Sequence, residues 1–132
     1  MSEWLVSAWK RLRSGLALAG ASASREGVEA EDEDRARRER GRIAVCDVQE
    51  RAQVVLFGSL SSMTFPPEGA AAVLRATLHD GTGTIELLWH GRRSIPGLHV
   101  GARVEVEGVA GRQGGLLTIV NPLYRLVAPE HE

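Results

Sequence analysis

The sequence predicts a mainly β chain, a five-stranded Greek-key barrel preceded by an amphipathic helix and a charged linker that is helical in part. Three observations carry the prediction. Apolar residues recur at every second position in several runs between residues 48 and 127, the period of a strand with one buried face. Glycine-rich turns such as Asp80-Gly81-Thr82-Gly83 punctuate those runs. Ahead of them, residues 1–23 carry a helical apolar stripe and residues 24–47 are dominated by charge. Residues 128–132 form a short tail.

In the first segment, Leu5, Trp9, Leu12 and Leu16 follow one another at helical spacing, with Lys10, Arg11 and Arg13 off that stripe. Ser2, with Glu3 behind it, is placed to cap the start. The expected use of this Trp4- and Trp9-bearing helix is docking, on the barrel, on a second copy or on a protein partner. Anchoring at a membrane surface is the competing use. From Arg25 to Arg42 the acid comes first in three i, i+4 pairs: Glu31 with Arg35, Glu33 with Arg37, Asp34 with Arg38. This stretch has no apolar stripe, so the expectation is a solvated helical linker.

The strands follow in order. Arg51 to Ser62 alternates through Val54, Leu56, Gly58 and Leu60, and Ala71 to His79 puts Leu74, Ala76 and Leu78 on one face. After the Asp80–Gly83 hairpin turn, Ile85, Leu87 and Trp89 alternate with Glu86, Leu88 and His90. Val104 and Val106 mark a fourth strand, taken to end at Gly108. Gln113-Gly114-Gly115 turns the chain into Leu116–Leu126, interrupted at Asn121-Pro122. One-faced strands must curl or stack to bury that face, and five in so short a length suit a small closed barrel. Gly58 is expected to allow the sharp bend by which one strand serves both halves of it. Pro122 is expected to take the last strand to an edge.

Composition narrows function. The 132 residues allow one domain, with 43% hydrophobic and 25% charged, the balance of a globular protein. A net charge of −1 gives no global basic field. The single cysteine, Cys46, excludes an internal disulfide and a cysteine-rich zinc site. The apolar core Leu16–Ala21 is too short for a secretory signal, so the expected compartment is the cytoplasm, with no integral membrane span.

The stretch from Arg51 to Leu126 resembles the OB-fold of the anticodon-binding type. The matching residues are Val54, Leu56, Gly58 and Leu60; Leu78 through the Asp80-Gly81-Thr82-Gly83 turn to Ile85, Leu87 and Trp89; Ile95-Pro96-Gly97-Leu98 with Val100-Gly101; Val104, Val106 and Gly108; and Ile119, Asn121-Pro122 and Tyr124. With Gly91-Arg92-Arg93, the later pieces are similar to short stand-alone OB proteins of actinobacteria. The resemblance implies single-stranded DNA or RNA held across the outward face of strands two and three, without catalysis.

The residues that would serve such a site are Arg75, Thr77, His79, Leu88 and His90 on those strands, with Arg92 and Arg93 just after. Arg112, between strands four and five, adds a cation, and Phe57, Phe65 and Tyr124 are candidate stacking groups. Residues 49–127 carry seven arginines against six acids, so binding is expected to be weak and shallow in its salt dependence. No phosphate-loop, Cys/His or Ser/His/Asp pattern points to an enzyme. His79 and His90 fall at opposite ends of their hairpin, so no metal or other cofactor is expected. The alternative function is a protein–protein adaptor that uses the barrel and the Trp4/Trp9 helix.

Overall fold

A computed structural model describes residues 21–128, with side chains from residue 27 onward. The predicted helix with Trp4 and Trp9, including its stripe of Leu5, Trp9, Leu12 and Leu16, lies outside the described residues. The order of elements is α1 (Ala21–Glu39), a 3-10 turn (Val45–Asp47), then β1 (Gln53–Thr64), β2 (Val73–His79), β3 (Thr84–His90), β4 (Arg103–Gln113), β5 (Leu116–Val120) and β6 (Leu123–Leu126). Helix α1 begins at Ala21, ahead of the expected boundary at residue 23.

Alternation of apolar residues closes the sheet. β1 pairs with β2, β2 with β3, β3 with β5, β5 with β4, and β4 returns to β1. All pairings are antiparallel except β3–β5. The barrel interior is filled by Leu56, Leu60, Leu74, Leu78, Ile85, Leu87, Val104, Val106 and Ile119, each fully buried. Ring closure leaves no open edge among these five strands, which is how a small sheet protects its unpaired backbone groups.

Strand β1 serves both halves as expected. Gln53–Ser59 pair with β4 and Ser59–Thr64 with β2, with an irregularity between Leu60 and Ser62. A side chain at Gly58 would run into the backbone carbonyl of His79, so the crossing is as close as two backbones allow.

Two expectations about strands need correction. Strand β4 does not end at Gly108 but runs on to Gln113, with Val104–Glu107 against β6 and Ala110–Gln113 against β5. The last run is two strands, not one. β5 and β6 lie along the same edge of β4, and the registers differ by one residue across Asn121-Pro122, where Asn121 takes φ 53. Pro122 interrupts the ladder without ending it, because Asn121 absorbs the extra residue.

Helix α1 is docked on the barrel, contrary to the solvated linker expected. Its charges substitute for an apolar stripe. Glu33 accepts from the Ser59 hydroxyl at 2.8 Å and from Arg103 at 3.1 Å. Arg37 pairs with Asp34 and lies 3.7 Å from the fully buried Asp80. Of the three expected i, i+4 pairs only Asp34–Arg38 forms, at 3.5 Å; Arg35 turns instead to Asp32. The helix reaches the β2–β3 turn at Gly81, where any side chain would strike the carbonyl of Ala30. It stops in a Schellman motif, the amides of Gly41 and Arg42 donating to the carbonyls of Arg38 and Arg37.

Candidate nucleic-acid interface

The outer face of β1–β2–β3 is set by ladder register. Thr64, Arg75 and Leu88 form one cross-strand row, and Ser62, Thr77 and Glu86 the next. The second row is wired together. The Ser62 hydroxyl donates to Thr77 Oγ1 at 2.9 Å, and Thr77 donates to Glu86 Oε2 at 2.8 Å. Glu86 is thereby committed to a neighbour on the sheet, which moderates the one acid at the centre of the face.

The predicted site residues separate into three groups. Arg75 is exposed in the middle of β2, and Arg92 is exposed in the segment after β3. Neither side chain has a hydrogen bond or ion pair among the described residues. Phe65 is 53% exposed at the mouth of the β1–β2 loop. Thr77 and the half-buried His79 complete the face on β2; His90 stands exposed at the far end of the hairpin, opposite Val73 while His79 lies opposite Thr84. The two histidines are thus apart, and the described residues contain no cluster that could hold a metal ion.

A second group is present but occupied. Arg93 donates to the carbonyls of Ala70 at 2.7 Å and Pro67 at 3.4 Å, fastening the β1–β2 loop. Arg112 lies on β4 opposite Leu117 and not in the connecting loop; it pairs with Glu50 at 3.6 Å and donates to the Gly115 carbonyl at 3.2 Å.

The third group does not belong to this surface. Phe57 is 2% exposed, its ring covered by the Arg40 guanidinium 4.7 Å away, so it offers no platform for a base. Leu88 points outward by alternation yet is buried. Tyr124 sits on β6 opposite Val106 and meets Trp89 edge-on, 6.1 Å between rings, at one end of the barrel.

On the other side of the barrel, around Phe57, Glu105 is buried among three arginines. Arg42 reaches it at 2.7 Å, Arg40 at 3.3 Å and Arg125 at 2.5 Å. Burial pushes the Glu105 carboxyl upward. The hydrogen bonds from Arg42 and Arg125 and the charges of Arg42 and Arg40 outweigh burial, and the pKa falls to about 2. This cluster ties the segment after α1 to β4 and β6, away from the β2–β3 face around the barrel.

Sequence reasoning missed the continuation of the outer face onto β5 and β4. Val109 and Val120 stand exposed there; Val109 lies beyond the expected end of the fourth strand at Gly108, and Val120 beside the expected interruption at Asn121-Pro122. Arg51, expected at the start of the first strand, precedes β1 by two residues.

A ring ordered β1-β2-β3-β5-β4 with its one parallel pair between β3 and β5 is the topology of the OB-fold. No protein-family model and no curated protein matches the chain. Among solved structures, an OBody bound to hen egg-white lysozyme is similar, with a TM-score of 0.51 and 13% identity over 66% of this chain and 93% of that one. A replication protein A heterotrimer bound to ssDNA matches with a TM-score of 0.48 and 18% identity, over 61% of this chain. The match spans 62% of that chain's length. The protein is an OB-fold barrel with a charged helix docked on it. No helix among the described residues is long and apolar enough to cross a membrane.

Proposed function

We propose that this protein is a non-catalytic, cytoplasmic binder of single-stranded nucleic acid, with the strand lying across the outer face of β2 and β3. The observation that carries the reading is the division among the barrel arginines. Arg93, Arg103, Arg112 and Arg125 are held by protein groups, whereas Arg51, Arg75 and Arg92 stand exposed, without side-chain partners among the described residues, and of these Arg75 lies beside a wired row of hydroxyls. Unpaired guanidiniums at the surface are the groups that neutralise phosphates and stack on bases. Phe65 is the aromatic placed to stack at the edge. The OB-fold itself, a barrel that holds single strands across its second and third strands, supports the same use.

The test is titration of labelled oligothymidylate, oligouridylate and duplex DNA at two salt concentrations. The Arg75→Ala/Arg92→Ala double variant is expected to bind single strands about tenfold more weakly, with the salt slope reduced by about 0.7 for each phosphate that the protein no longer neutralises. Arg93→Ala is the less informative change, because it also frees the β1–β2 loop. Binding that ignores salt, or equal affinity of the double variant, would contradict the proposal. Such a result would leave the adaptor reading, which the exposed apolar residues Val109, Leu116 and Val120 favour.

A further inference from the structure

The outer wall of the barrel continues past β3 across β5 onto β4, and there it holds a pocket of about 460 Å³. That volume falls within the range of small-ligand sites, ~300–1,000 Å³. Val109 and Val120 line it and are 54% and 40% exposed, an apolar floor facing water. Arg51 and Arg112 line it as well.

Arg51 sits there at a backbone cost. Its φ is 73, a region that bulky L-residues avoid and that glycine or asparagine fills more readily. Its amide donates to the Ala110 carbonyl at 2.7 Å, which fixes the conformation. Any residue with an N–H makes that bond, so the backbone does not explain the arginine. The side chain has no partner among the described residues. Arg112 has only a 3.6 Å approach to Glu50, both about half exposed, and the Gly115 carbonyl. The unpaired Arg51, with the already paired Arg112 beside it, stands over an apolar floor and complements a group that is flat and apolar at one end and anionic at the other.

The pocket lies on the same outer side of the ladder as the β2–β3 face. Arg75 lies opposite Leu88, Leu88 opposite Val120, and Val120 follows Ile119, whose partner Ala110 adjoins Val109. One cross-strand row therefore runs from the exposed Arg75, past the buried Leu88, to the pocket floor.

We infer that this pocket is a nucleotide subsite, in which a strand leaving the β2–β3 face seats a base on Val109 and Val120 and sets its phosphate on Arg51. The inference rests on the single-stranded nucleic-acid reading and extends it to one further nucleotide. It predicts an interaction that only longer strands can make.

The experiment compares oligothymidylates of about four and about twelve nucleotides, lengths within the range one OB-fold covers. Arg51→Gly suits the φ at that position and removes an exposed side chain that has no partner among the described residues, so the fold is kept; Arg51→Lys keeps the charge. Arg51→Gly is expected to weaken the longer oligomer about three- to tenfold, to lower its salt slope by about 0.7, and to leave the shorter one unchanged. Arg51→Lys is expected to restore the slope. Wild-type affinity of Arg51→Gly for the longer strand would overturn the subsite while sparing the β2–β3 reading, and so would an equal loss for both lengths. Failure of the unaltered protein to bind either oligomer would overturn both. Capture of an acidic peptide in place of any oligonucleotide would assign the pocket to a protein partner and overturn the inference.

Discussion

Replacing Asp80 with alanine is expected to lower the unfolding free energy by about 3–5 kcal/mol, read from urea denaturation. The carboxylate is fully buried and four groups converge on it. Oδ1 accepts from the Thr82 amide at 2.9 Å and the Thr82 hydroxyl at 2.6 Å. Oδ2 accepts from the Val45 amide at 2.8 Å and faces Arg37 Nε at 3.7 Å. One side chain thus shapes the β2–β3 turn, anchors the segment before β1 and offsets a guanidinium of α1. Alanine leaves the Thr82 and Val45 amides without an acceptor and deprives the Thr82 hydroxyl and the nearly buried Arg37 of one partner each, losses that cost free energy. Asparagine is expected to lose nearly as much, because both oxygens accept from N–H groups and either amide orientation sets NH2 against one of them. An Asp80→Asn protein as stable as the unaltered one would refute this account of how the helix is held.

Glu105→Gln is the second large effect, expected at about 2–3 kcal/mol near neutral pH. Arg40, Arg42 and Arg125 converge on this carboxylate, and the isosteric amide leaves three like charges with no anion between them. The loss carries a pH signature. The folded-state pKa of about 2 lies below the ordinary 4.5, so the stabilisation is complete above about pH 4.5 and vanishes as pH falls through about 2. The difference in unfolding free energy between the unaltered protein and Glu105→Gln should be flat at neutral pH and close across that interval. A difference that does not change with pH would show that packing, not charge, is what the glutamate supplies. Oligonucleotide affinity of the variant is expected to stay unchanged, since the cluster lies away from the β2–β3 face.

What was legible in the sequence follows from which forces leave a periodic trace. Burial of one strand face repeats every second residue, so β1, β2, β3 and the start of β4 could be placed, and the break at Asn121-Pro122 was visible because proline withholds a backbone donor. Docking of α1 left no such trace. It is held by single polar pairs between residues 26 to 70 positions apart, such as Glu33 with Ser59 and Arg103, and charge alone does not say which partner is chosen. Phe57 illustrates the consequence. Alternation placed it outward correctly, yet the cover over it comes from Arg40, in a segment that carries no apolar mark. The candidate site was half legible for the same reason. Arg75 and Arg92 could be located, while the capture of Arg93 by two loop carbonyls depends on how the β1–β2 loop folds back.

The most direct measurement is a map of backbone amide shifts as unlabelled oligothymidylate is added to isotope-labelled protein. The largest perturbations are predicted at Thr64, Arg75, Thr77, Thr84, Glu86 and Arg92, with Glu105, Tyr124 and the α1 residues Glu33 and Arg37 silent. Perturbations centred on β6 and the Glu105 arginines, or none at saturating oligomer, would contradict the account.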